Sequence, residues 1–164
     1  MLQLITDSGQ LVFDGIMQVY GESLLRSGKD NYPQLSESRQ LLEAEQDFYL
    51  YLKSFLRQDH AFCAVWVCDG RYVSALRVEP YRDGFLIAGL ETALHCRRKG
   101  YARQLLQAVV QHMAGKKLYS HIHKKNIASI RTHLACGFVP ALDYAVFIDG
   151  SVDNQSHTYL LKVP

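Results

Sequence analysis

The chain contains no apolar run approaching the roughly 20 residues that span a bilayer, which excludes a transmembrane helix. Its cysteines, Cys63, Cys68, Cys96 and Cys136, form no CxxC pair and no zinc-ligand spacing. A disulfide scaffold and a zinc module are therefore not expected, and reduced thiols point to a cytoplasmic protein. The formal net charge is only +2, and outside residues 97–99 the basic residues are dispersed. That charge is too small to argue for a nucleic-acid partner. Neither GxxxxGK[ST] nor GxGxxG occurs, so the two common nucleotide-binding loops are absent. The segment Met1-Leu2-Gln3-Leu4-Ile5-Thr6-Asp7 lacks the basic start and long apolar stretch of a signal peptide, and none is expected. What is present, 48% hydrophobic and 21% charged residues over 164 positions, is the composition of a globular chain. That length fits a single domain over 1–164 with a substantial core.

Periodicity divides the chain without linker or repeat. Leu2 to Thr6 reads as a strand, and Phe13, Ile16, Met17, Tyr20 and Leu24 predict a helix over 11–26. Residues 27–35 read as a loop through Gly28, Asp30, Asn31 and Pro33. Leu41, Leu42, Phe48, Tyr49, Leu52, Phe55 and Leu56 mark a second helix, with Ser36 as N-cap. Ala61–Cys68 and Arg71–Val78 are β-rich runs joined at Asp69-Gly70, a hairpin signal. A turn at 81–84 leads into a strand ending near Thr92, followed by a helix from Tyr101 to Met113 with Gly115 as C-cap. Leu118–His123 is a strand, Asn126–Cys136 a helix closed by Gly137, and Phe138–Ile148 and His157–Val163 are two final strands. The order is β-α-α-β-β-β-α-β-α-β-β, an α/β domain with a mixed sheet.

Arg97-Arg98-Lys99-Gly100-Tyr101-Ala102 stands between the strand through Leu90 and the amphipathic helix. First-turn amides of a helix lack partners and the macrodipole is positive there, so the turn attracts phosphate. Three cationic side chains add to the attraction. On the residues alone, an ordinary solvated strand-to-helix turn remains open.

This turn, with the sequence downstream, resembles the GCN5-related N-acetyltransferase (GNAT) superfamily. Arg97, Gly100 and Ala102 match its Arg/Gln-x-x-Gly-x-Gly/Ala signature. Asn126, Ser129 and Gly137-Phe138 match a second motif, in which His133 replaces the usual Tyr. The resemblance covers essentially the whole chain and implies a mixed, mostly antiparallel sheet flanked by helices. It also implies acetyl-CoA as cosubstrate, with Arg97, Arg98, Lys99, Gly100, Tyr101 and Ala102 around the pyrophosphate. Asn126, Ser129 and His133 would line the cofactor, and Leu90 and Thr92 would pair with the pantetheine arm. The amide of Thr92 would act as oxyanion donor. The fourth and fifth strands would splay at a bulge, for which Gly89 is the position.

The implied reaction is acyl transfer to a primary amine by direct attack in a ternary complex. It needs a base for the ammonium, and the departing thiolate benefits from an acid. The family's acid is often the Tyr replaced here by His133, which reads either as that acid or as a cleft-lining histidine. Glu91 is the first candidate base, or a group binding the acceptor's charge, or a solvated strand residue. His121 and His123, on one face of the fifth strand, are further candidates, and packing is the alternative for at least one of the pair. His121 and His123 lack a third ligand, so no metal is expected. The acceptor, a small-molecule amine or a peptide or protein amine, would enter between the 27–35 and 149–156 loops. Asp149 and Asp153 on the second loop lean toward a cationic acceptor. A monomer or homodimer is expected, with no membrane partner. A non-catalytic acyl-CoA-binding or regulatory module is the competing reading.

Overall fold

The computed structural model describes residues 1–162. Seven strands form one sheet in the order β1-β2-β3-β4-β5-β9-β6. Its strands are β1 (Leu2–Ile5), β2 (Phe62–Cys68), β3 (Arg71–Tyr81), β4 (Gly84–Thr92), β5 (Leu118–His123), β6 (Val139–Leu142) and β9 (Ser156–Leu161). Every pairing is antiparallel except β4 with β5, so the sheet is mixed and mostly antiparallel as implied. Helices α1 (Phe13–Asn31) and α2 (Glu37–Phe55) bury Ile16, Tyr20, Leu24, Leu52 and Phe55 against one face. On the other face α3 (Tyr101–His112) buries Leu105, Leu106 and Val109, and α4 (Ile127–Ala135) packs beside it. Two cores thus sandwich the sheet, and its central strands carry apolar residues on both sides.

The hairpin at Asp69-Gly70 forms as its chemistry demands, with φ of 50° and 71° at the two turn residues. Two sequence expectations fail. α1 does not stop before Gly28 but continues to Asn31, because Gly28 serves helix packing rather than a turn. A Cβ there would lie 2.5 Å from the Gln40 carbonyl oxygen of α2, so the missing side chain lets the two helices close. Lys29 and Asp30 are consequently helical, and Lys29 pairs with Glu37 at 3.0 Å. The expected strand Phe138–Ile148 breaks after Leu142, and β7 (Ala145–Val146) turns away to pair with β8 (Val152–Asp153). Thr158 of β9 fixes that break by donating its hydroxyl to the Tyr144 carbonyl at 2.8 Å. Ser36 does stand at the N-cap of α2, without capping through its side chain. Val163, the expected end of the last strand, lies outside the described residues. Among the described residues no helix is long and apolar enough to cross a membrane.

Candidate active site

The parallel pairing of β4 with β5 covers only Phe85↔Leu118, Leu86↔Tyr119 and Ile87↔Ser120, and the strands then part. The divergence begins where β4 bulges. On β3 only one residue lies between Ala75 and Arg77, whereas their partners Glu91 and Ala88 have two between them. Gly89 takes up the extra residue at φ 60°, a left-handed conformation suited to glycine. The Tyr20 hydroxyl of α1 donates to the Gly89 carbonyl at 2.7 Å and holds the bulge. The expected position of the bulge is therefore correct.

A cavity of about 1010 Å³ fills the gap between the strands. Leu90, Glu91, Thr92, Arg97, Arg98, Gly100, Tyr101, Ala102, His121, Asn126, Ser129 and His133 all line it. Lys99 does not; it is exposed at the turn. Cations outnumber acids on the wall, with Arg26, Arg97, Arg98, Arg103 and Lys125 against Glu22 and Glu91. Such a field favours a polyanion.

Three pieces of backbone shape the anion end. Arg98 and Gly100 both have positive φ, 61° and 81°, so the chain curls tightly before α3. Gly100 is the N-cap and offers no side chain to the first-turn amides. Those N–H groups therefore face the cavity end without a protein cap. The Arg97 side chain, by contrast, turns toward α1. Its Nε donates to the Thr92 carbonyl at 3.2 Å and its guanidinium pairs with Glu22. Arg97 thus braces the end of β4 against α1, which the signature alone does not reveal.

Further along, the Ala93 amide donates to Val73 of β3 at 3.0 Å. Alternation then turns the Thr92 amide to the opposite edge, where β5 has diverged, and Leu90 shares that edge. The Glu91 side chain takes the opposite face from its neighbours and accepts a hydrogen bond from Ser23 of α1. Burial pushes its carboxyl above the ordinary range, against the pull of Ser23, Arg97 and Arg77.

Of the three histidines named from sequence, His123 accepts from the Lys125 amide at 3.1 Å, and His133 and His121 are held by the following contacts. His133 is 1% exposed, and its Nδ1 stands 2.9 Å from the Ser129 carbonyl, which can only accept. Nδ1 therefore carries the hydrogen, and Nε2 is a buried lone pair with no partner. Burial holds the ring below its usual pKa and so neutral. A neutral ring of this tautomer has no proton to give from Nε2. His121 directs Nε2 at the Val146 carbonyl, 3.1 Å away, and Nδ1 at Thr158, also 3.1 Å away. Both nitrogens face the β7 and β9 side. Asn126 caps α4, its Oδ1 accepting from the Ser129 amide at 3.1 Å.

Neither the 27–35 nor the 149–156 segment, the expected acceptor walls, lines this cavity. Asp149 and Asp153 close their own turns, accepting from the Ser151 and Gln155 amides at 2.9 and 2.8 Å. Tyr32 donates to Asp47 of α2. Instead Glu22, Ser23 and Arg26 of α1 form the wall facing Glu91. No sequence signal separates them from an ordinary solvated helix face.

Residues 26–138 match the acetyltransferase (GNAT) family model, more than half of the chain. The chain belongs to the acetyltransferase (GNAT) family. No curated protein sequence matches it. Among solved structures it is similar to the PaiA N-acetyltransferase of Thermoplasma acidophilum in complex with coenzyme A. That pair shares 10% identity over 99% of each chain, with a TM-score of 0.62. It is also similar to an N-acetyltransferase of Staphylococcus aureus Mu50, at 17% identity over 100% of this chain and 99% of that one, TM-score 0.65. A ribosomal-protein-alanine N-acetyltransferase of Brucella melitensis matches at 16% identity over 100% and 99%, TM-score 0.65. These likenesses are of fold. The family membership makes the chain an acetyltransferase.

Proposed function

We propose that the protein transfers the acetyl group of acetyl-CoA to a primary amine by direct attack in a ternary complex. The observation that carries this reading is the gap between β4 and β5, which meets the uncapped N-terminus of α3 at its end. The pyrophosphate would lie on the amides of Tyr101 to Arg103, with Arg98 beside it. The pantetheine arm would follow the free edge of β4 at Leu90 and Thr92 as an added strand. The thioester is the activated acyl donor, and the Thr92 amide would meet the charge that develops on its carbonyl oxygen. Ser129 and Asn126 would flank the arm from α4.

Glu91 would take the proton of the acceptor ammonium. Its partly buried carboxylate, oriented by Ser23, is more basic than an exposed one. His133 is assigned no proton, since the tautomer set by Ser129 leaves Nε2 an acceptor. As the C–S bond of the tetrahedral intermediate breaks, the thiolate would leave toward solvent and take up, through water, the second proton that the attacking nitrogen sheds. A positioned proton donor is worth about 100-fold or more, so a His133→Phe variant is expected to lose less than about ten-fold in kcat. Steady-state rates at pH 7 check this.

The reading itself is tested by titrating the chain with CoA in a calorimeter and then following CoA release from acetyl-CoA over a panel of amines. Binding with amine-dependent release is expected. Tight binding without release on any amine would favour a non-catalytic CoA-binding module, and no binding would overturn both.

A further inference from the structure

Arg77 is a half-buried cation that the reaction above leaves unused. It stands on β3 opposite Ala88, one residue before the bulge on β4. Its guanidinium carbon lies 5.8, 5.8 and 5.3 Å from the ring centres of Tyr20, Phe48 and Tyr51. Three rings from two helices thus hold one guanidinium by cation–π contact. No carboxylate among the described residues pairs with it. Its Nε–H is buried without an acceptor. Burying a cation unpaired is costly, and fixing its plane with aromatic rings leaves the fork of N–H groups pre-organised for a planar anion.

The guanidinium lies against the bulge that borders the cavity. A Cβ on Gly89 would lie 2.6 and 2.8 Å from Nη1 and Nη2, so the guanidinium ends press on the bulge itself. Gly89 is exposed and lines the cavity. Glu91 stands two residues further on, at most about 7 Å along a strand. A guanidinium held against Gly89 and a carboxylate carried two residues further along the same strand are of opposite charge, as are the two ends of a small zwitterion.

We propose that Arg77 binds a carboxylate of the acceptor, so that the acceptor is a free amino acid or a similar small amine bearing a carboxylate near the reacting nitrogen. The proposal rests on the transferase reading, with Glu91 taking the amine end and Arg77 the anionic end.

The test uses the full chain with acetyl-CoA and matched probes, the standard L-amino acids and their carboxamides. Wild type is expected to prefer at least one free acid over its amide by ten-fold or more in kcat/KM. Arg77→Met is expected to remove that preference through KM, with the loss on the acid at least ten-fold larger than the loss on the amide. Arg77→Lys, which keeps the charge but loses the fork, is expected to fall between. Equal losses on acid and amide would overturn the proposal and make Arg77 only a pin of the bulge. Preference for amides, or no preference, would overturn it too. Should no amine turn over, titration of acids and amides into CoA-saturated protein decides. Acid binding that Arg77→Met abolishes supports the proposal, and no difference between acid and amide overturns it. Absence of CoA binding overturns the transferase reading and this proposal with it.

Discussion

A Glu91→Gln variant should bind CoA as wild type does and lose about 100-fold in kcat at pH 7, the lower range of what a positioned base contributes. Glutamine keeps the shape and still accepts from Ser23, so the α1 contact persists. What disappears is the proton acceptor. The wild-type rate should climb with pH through the carboxyl's ionisation, because only the ionised form accepts a proton. Burial favours the neutral form, so this rise should sit above the ordinary carboxylate range. The acceptor's own deprotonation adds a rise at higher pH, at about 10.4 for a lysine-type amine. Only the lower limb should vanish in the variant. Rate profiles of both proteins on one amine check the sign, and an unchanged kcat would remove Glu91 from the chemistry.

The second large effect concerns a backbone atom. Thr92→Pro deletes an N–H that faces the slot and makes no bond to β3, because the neighbouring Ala93 amide takes that pairing. The ladder therefore loses nothing, while the proposed oxyanion donor is gone. Removing one such donor costs about 100-fold or more in kcat. Thr92→Ala supplies the control, since it keeps the amide and loses only the hydroxyl bond to Ser74 at 3.1 Å. It should stay near wild type. Matched circular dichroism and single-turnover rates for the two variants separate lost chemistry from lost fold. Equal rates in both would take the Thr92 amide out of the mechanism.

Much of this was legible because the informative groups are backbone-dictated. Gly89, Gly100 and the Asp69-Gly70 turn each need a φ that few residues adopt, so sequence marks them. The apolar periods of α3 and the central strands likewise follow from burial. Gly28 misled because a glycine for close packing is written with the same letter as a glycine for a turn. The break at Asp143-Tyr144 was illegible because it depends on Thr158, fourteen residues beyond Tyr144. For the site, the downstream motif pointed to the cofactor side, but side-chain direction was not encoded locally. Arg97 reads as a phosphate ligand until Glu22 of α1, 75 residues away, turns it aside. His133 reads as a donor until the Ser129 carbonyl sets its tautomer. The α1 wall and the Arg77 cage are products of tertiary packing, and no local pattern announces them.

The most direct test of the slot is a titration of ¹⁵N-labelled protein with CoA, followed amide by amide. The account predicts the largest shifts at Tyr101, Ala102 and Arg103 and along Leu90 to Thr92, with smaller ones at Ser129. Absence of shifts, or shifts confined to the separate cavity lined by Val12, Gln18, Arg71 and Tyr72, would contradict it.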